Sequence, residues 1–195
     1  MNELQSGATL NVGSTDHVRG STTAPVTMLV YGDYECPYTR ELELSVTGLR
    51  RLDGDSFRYV FRYFPLREIH PHAQLAAQAA ETVYSLAGQD AFWIMHDALF
   101  ANQDDLEVDN LERQATAAGV DQSAFRAALA TRQITDRIER DVLSGRANGV
   151  NGTPSLFING ERYRGARDIA TLRAAIATQQ GPSSARVGAP GRSRK

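Results

Sequence analysis

Tyr31-Gly32-Asp33-Tyr34-Glu35-Cys36-Pro37-Tyr38-Thr39 carries the chain's only cysteine between a strand-like run and a helix-like one. Upstream, VTMLVY at 26–31 is rich in β-branched and apolar residues and reads as a buried strand that stops at Gly32-Asp33. Downstream, Leu42, Leu44, Val46, Leu49 and Leu52 supply the apolar face of a helix. Pro37 suits the first helical turn, where a missing N–H costs nothing. The Cys36 sulfur is thereby expected beside unpaired backbone N–H groups at the positive end of a helix dipole. Both favour thiolate over thiol, so its pKa is expected below the free value of about 8.5. An inert buried cysteine is the plain alternative.

Working outward, Asp53-Gly54-Asp55 signals a turn, and FRYVFRYF at 57–64 reads as a second strand closed by Pro65. From Pro71 to about Gly149 the pattern is helical: Ala76, Ala79, Ala80, Val83 and Leu86, then Phe92, Met95, Leu99 and Phe100. Leu111 and Ala115 precede a stop at Gly119, Asp121 can cap a short helix, and Ile134, Ile138 and Val142 mark another. Strand character returns at SLFING, 155–160, with Asn159-Gly160 turning a hairpin into 162–164. Ile169, Leu172 and Ile176 lie on a last helix. The order predicts an α/β fold, one domain over 24–178 with a helical insertion at about 71–148. Residues 1–23 lack a hydrophobic period and read as a flexible arm.

Gly149-Val150-Asn151-Gly152-Thr153-Pro154-Ser155 runs straight into the later strand. A proline there cannot donate to a ladder. If the Thr153–Pro154 bond is cis, the Thr153 backbone is left free to hold an extended substrate beside the sulfur.

The chain has 195 residues, 42% hydrophobic and 23% charged, enough for a sizeable core without staples. A single cysteine excludes an internal disulfide framework and multi-cysteine metal sites. No apolar run approaches a membrane span, and the first twenty residues lack the basic and apolar regions of a secretory signal, so the expected compartment is the cytoplasm. Net charge is −2, but residues 181–195 carry +4. Residues 179–195 read as a disordered basic tail, too weakly charged to imply nucleic acid. His70 and His72 flank Pro71 without a third metal ligand at local spacing, so structural or capping roles are expected and no metal site. Asp33 and Glu35 read as solvated loop acids, and His96 with Phe92, Trp93 and Phe100 as core. No phosphate loop, nucleotide fingerprint or serine triad is present.

Cys-Pro-Tyr-Thr at 36–39, Gly-Thr-Pro-Ser at 152–155 and the helical block between them resemble the thioredoxin fold, and within it the DsbA-like branch with an inserted helical subdomain. Phe61 to Leu66, His70 to Ala73, Phe92 to Asp97 and Phe157 to Gly160 also resemble that branch. They are similar to thioredoxin-like domains found alone or fused to bacterial sodium/proton antiporters. The resemblance covers roughly residues 16–178. It implies thiol-disulfide chemistry on client protein or peptide disulfides, with Cys36 catalytic and Pro37, Tyr38, Thr153 and Pro154 contacting substrate.

Two departures narrow it. The branch commonly has a second cysteine where this chain has Thr39, and many members have a buried acid six residues before the first cysteine, where Val30 stands here. No disulfide can form within one chain. What remains is a monothiol: Cys36 exchanging with mixed disulfides, with no bound cofactor and a small thiol such as glutathione as co-substrate. Thr39 is the second catalytic candidate, its hydroxyl expected to hydrogen-bond the sulfur and trim its pKa. The rival reading is a redox-inactive module that binds peptides or proteins, and association with an antiporter belongs to either.

Overall fold

The computed structural model describes residues 10–54, 56–129 and 131–180. Five strands form one sheet: β1 (His17–Arg19), β2 (Val26–Gly32), β3 (Phe57–Tyr63), β4 (Ser155–Ile158) and β5 (Glu161–Arg162), in the order β1-β3-β2-β4-β5. Strands β2 and β3 are parallel, Val26 opposite Phe57 through Gly32 opposite Tyr63. A parallel neighbour cannot be reached by a tight turn, so the chain crosses over through α1 (Pro37–Asp53). The pairs β1/β3, β2/β4 and β4/β5 are antiparallel.

The central strands are buried on both faces, and their alternation sorts them into two layers. Met28 and Val30 share a cluster with Leu42, Val46 and Leu49 of α1 and with Leu172 and Ile176 of α6 (Ile169–Gln179). Leu29 and Tyr31 point the other way, into a smaller cluster with Val60, Phe64, Val142, Val150 and Phe157. Leu44 and Leu52 of α1 face solvent, because the stripe that meets the sheet is narrower than the run of leucines suggests.

Between β3 and β4 lie α2 (Ala73–Ala101), α3 (Val108–Ala117), α4 (Gln122–Ala128) and α5 (Arg132–Ala147). Gly88, at φ 81° and ψ −167°, breaks α2 into two helices, and Leu86 just before it is exposed. Asp121 caps α4, accepting from the Ser123 and Ala124 N–H groups. Helix α5 crosses close over the second layer at Gly145, where an added Cβ would sit 2.8 Å from the Phe64 ring.

The expected arm over 1–23 is corrected from residue 10 onward. His17 to Arg19 pair with Tyr59 to Phe61 as an edge strand. Leu10, Val12 and Val18 pack against the second cluster, but the other anchors are polar, so no hydrophobic period marks the segment. The Arg62 guanidinium donates to both Asp16 oxygens at 2.8 Å, His17 meets Glu81 at 2.9 Å, and Arg19 lies over the Trp93 ring while bonding Asp97. The expected tail from 179 is corrected at its start, since Gln179 ends α6 and Gln180 caps it, while residues 1–9 and 181–195 lie outside the described residues.

Candidate active site

Cys36 is the N-cap of α1, with φ −78° and ψ 119°, and Pro37 occupies the first helical position. The Cys36 carbonyl accepts from the Thr39 and Arg40 N–H groups, so the helix starts at the thiol itself. Pro37 and Tyr38 are exposed, Tyr38 at 63%, whereas Cys36 is 3% exposed. The Sγ–H donates to the Thr153 carbonyl at 3.4 Å, which joins the two motifs across the sheet. The Thr153–Pro154 peptide is cis. Of the Thr153 backbone groups expected to be free, the carbonyl is taken by the thiol.

The proline loop is pinned from three sides. Arg162 donates to the Gly149 carbonyl at 2.6 Å and to Ser155 Oγ at 3.1 Å. Arg167 donates to the Pro154 carbonyl at 3.1 Å, and Ser155 Oγ donates to the Gly152 carbonyl at 2.8 Å. Such cross-links hold the loop against Cys36 at fixed distance.

The Thr39 expectation is corrected. Thr39 is fully buried and its Oγ1 has no hydrogen-bond partner, sulfur included. Its Cγ2 packs against Gly32. Thr153 Oγ1 is also buried without a partner. Val30 is completely buried in β2, so an apolar side chain fills the position where an acid was sought.

The loop acids are not solvated. Asp33 is 2% exposed and accepts from the Glu35 N–H, the Leu66 N–H and, at 2.8 Å, faces His70 Nδ1. Glu35 accepts from the His72 N–H at 2.6 Å and faces the His72 ring at 3.0 Å. The Gln103 side-chain amide donates to the carbonyls of Tyr34 and Cys36. These partners were visible only as acids and histidines 37 residues apart, and Gln103 had no signal at all.

The glutamate beside the His72 ring favours its protonated form and outweighs slight burial, so His72 titrates above the ordinary histidine range. Behind the loop, Tyr34 Oη meets His96 Nδ1 at 3.0 Å, and His96 Nε2 meets Glu43 at 3.3 Å, with Tyr59 bonded to the same carboxylate. Burial first, and then the neighbouring Glu43 charge, push the Tyr34 and Tyr59 phenols far above their usual values, so both stay protonated. Among the described residues no group of three or more His, Cys, Asp or Glu side chains is placed to hold a metal ion. The site is one thiol at a helix start, a proline loop against it, and two acid–histidine braces.

A family model described as thioredoxin matches residues 13–178. The chain belongs to the thioredoxin family. Sequence relatives of this thioredoxin-family chain include the Na(+)/H(+) antiporter NhaA 3 of Salinispora tropica, 46% identical over 161 residues, covering 83% of this chain and 24% of the relative. NhaA 1 of Mycolicibacterium gilvum is 40% identical over 168 residues, covering 85% of this chain and 27% of the relative. The thioredoxin-family chain thus spans about a quarter of the length of these relatives. Among solved structures, oxidised BdbD from Bacillus subtilis superposes with a TM-score of 0.75 at 21% identity, over 85% of this chain and 92% of that one. The α-DsbA1 protein of Wolbachia pipientis gives 0.74 at 21% identity, over 88% and 94%. A thioredoxin-like oxidoreductase from Silicibacter pomeroyi gives 0.73 at 25% identity, over 85% and 92%. The fold is the thioredoxin fold with a helical insertion, shared with DsbA-type structures. No helix among the described residues is long and apolar enough to cross a membrane.

Proposed function

We propose that the chain is a thiol-disulfide oxidoreductase that works as a monothiol through Cys36. The observation that carries this reading is the Cys36 sulfur at the start of α1, lodged against the Thr153 carbonyl of the proline loop, in a chain with no second cysteine. The names of solved relatives, which include a thiol-disulfide exchange protein from Wolbachia pipientis, support the reaction class.

The reaction has two exchanges. The Cys36 thiolate attacks one sulfur of a mixed disulfide between a client protein and a small thiol. A new bond forms between Cys36 and the small thiol, the old S–S bond breaks, and the client sulfur leaves with the electron pair and takes up a proton. A second small thiol then attacks the adduct, regenerating the Cys36 thiolate and releasing a symmetric small-molecule disulfide. Pro37 and Tyr38, which follow Cys36 in the chain, and Thr153 and Pro154 of the proline loop would contact the client. Thr39 cannot resolve the adduct, so the external thiol is obligatory. Glutathione is the probe of choice, and a reducing cytoplasm is the compartment in which a lone thiol stays free.

The test is turnover of a glutathionylated peptide with reduced glutathione, followed as release of the free peptide thiol. Wild type should accelerate release, and Cys36→Ser and Cys36→Ala should both return it to the uncatalysed rate. The second reading, a redox-inactive binding module, draws on the 3% exposure of Cys36 and on Val30 in place of an acid. It predicts no acceleration, with peptide binding unchanged in Cys36→Ser. The antiporter relatives make a sodium/proton antiporter one partner to test for such binding.

A further inference from the structure

His72 touches three segments of the chain at once. It opens α2, its backbone N–H and ring Nδ1 engage Glu35 of the cysteine loop, and its Nε2 faces Glu107 Oε1 at 3.1 Å, just before α3. A neutral imidazole has one N–H. It can therefore donate to Glu35 or to Glu107, while its other nitrogen turns a lone pair toward a carboxylate oxygen. Only the imidazolium donates to both. The ordinary histidine pKa of about 6.5 puts such a proton within reach of physiological pH change.

What the ring spans is a cleft of about 410 Å³ against the cysteine loop, walled by His72 and the two residues that flank Cys36, Glu35 and Pro37, on one side and by Gln103 to Glu107 on the other. The two ends of the 103–107 wall are held differently. Gln103 bonds the Tyr34 and Cys36 carbonyls through a neutral amide, which does not titrate. Glu107, 71% exposed at its side chain, is held by His72. The charges facing His72 are Glu35 from the cysteine loop, Glu107 from the turn, and Asp104 and Asp105 lining the same cleft, Asp105 being 3.8 Å from Arg113. On its own segment, His70 is committed to Asp33. Once His72 is neutral, four carboxylates share the cleft with Arg113 as the nearby cation, and their repulsion favours separation.

We propose that His72 is a pH-operated latch, which as imidazolium ties the 103–107 turn to the Cys36 loop and on losing its proton releases Glu107, opening the cleft that Glu35 and Pro37, the two neighbours of Cys36, line and with it a way to the thiol. The hydrogen bond to Glu35 raises the His72 midpoint above 6.5, followed by the weaker pull of Glu107. The sign follows from that direction. A raised folded-state value means the latch and its contribution to stability are fully present below the unfolded value and are lost as pH rises through the folded one.

The inference does not require Cys36 to turn over a substrate, and its test does not use one. Alkylation of Cys36 in the full chain would be followed with N-ethylmaleimide and with a bulky uncharged maleimide. Both react with the same thiolate, so the ratio of their rates cancels the ionisation of sulfur and reports access. In wild type the bulky-to-small ratio should rise several-fold between about pH 5.5 and 8.5. In Glu107→Gln, a surface change that leaves fold and cysteine loop in place, the ratio should be high at the acid end and flat. In parallel, NMR of the His72 ring should show an imidazolium with a midpoint above the free value, and the amide signals of residues 103–107 should move with that midpoint. A wild-type ratio independent of pH, a Glu107→Gln profile that copies wild type, or a His72 ring already neutral at about pH 6 would each overturn the latch.

Discussion

Thr39 stands one helical turn from the thiol with a buried, unpartnered hydroxyl. A buried hydroxyl without a bond is a standing cost. Thr39→Val keeps the β-branched shape and removes the orphan, so it should raise stability by about 1 kcal/mol in urea unfolding. Its effect on exchange through Cys36 should be small, because the hydroxyl does not touch sulfur. A large drop in rate with unchanged stability would show that the hydroxyl reaches the sulfur during the reaction. The residues of this site were unequally legible in the sequence. Cys36 and Pro154 stand out by position at strand and helix ends. Asp33 and Glu35 read as solvated, because the histidines that bury them arrive from the far end of β3, and no local pattern encodes that meeting.

The same contrast runs through the elements. Strands β2 and β3 and helix α1 are legible because each has its own hydrophobic period. Strand β1 is not, because hydrogen bonds and an ion pair seat it along with Val18 and the His17 ring, too few apolar positions to show a period. Helix α5 mixes the two. Ile134 and Ile138 announce its buried face, but its placement over β3 depends on Asp141, which pairs with Arg137 and accepts from the Tyr63 N–H at 3.0 Å. Burial, against the pull of Arg137 and Tyr63, pushes the Asp141 carboxyl up to about 6. Removing it would strand a guanidinium that is only 5% exposed and leave a strand N–H unpaired. Asp141→Ala should therefore cost about 3–5 kcal/mol in urea unfolding. A cost under about 1 kcal/mol would mean that the pair contributes little beyond its own desolvation.

At the scale of the whole molecule, apolar clusters on both faces of the sheet fix the fold, and polar contacts fix the cysteine loop. Two braces, His70 on Asp33 and His72 on Glu35, and the Gln103 amide converge on that loop. The proline loop closes the other side through Arg162 and Arg167. Such bracing suits a nucleophile that must meet a disulfide in one geometry. Under the proposed function, the single sulfur is the carrier of a transferred thiol. The direct test is intact mass analysis of the full chain after exposure to a glutathionylated peptide, quenched with acid. The account predicts one glutathionyl group on the protein, mapped to Cys36, that disappears on adding reduced glutathione. A chain that remains unmodified while the peptide keeps its glutathione would contradict it.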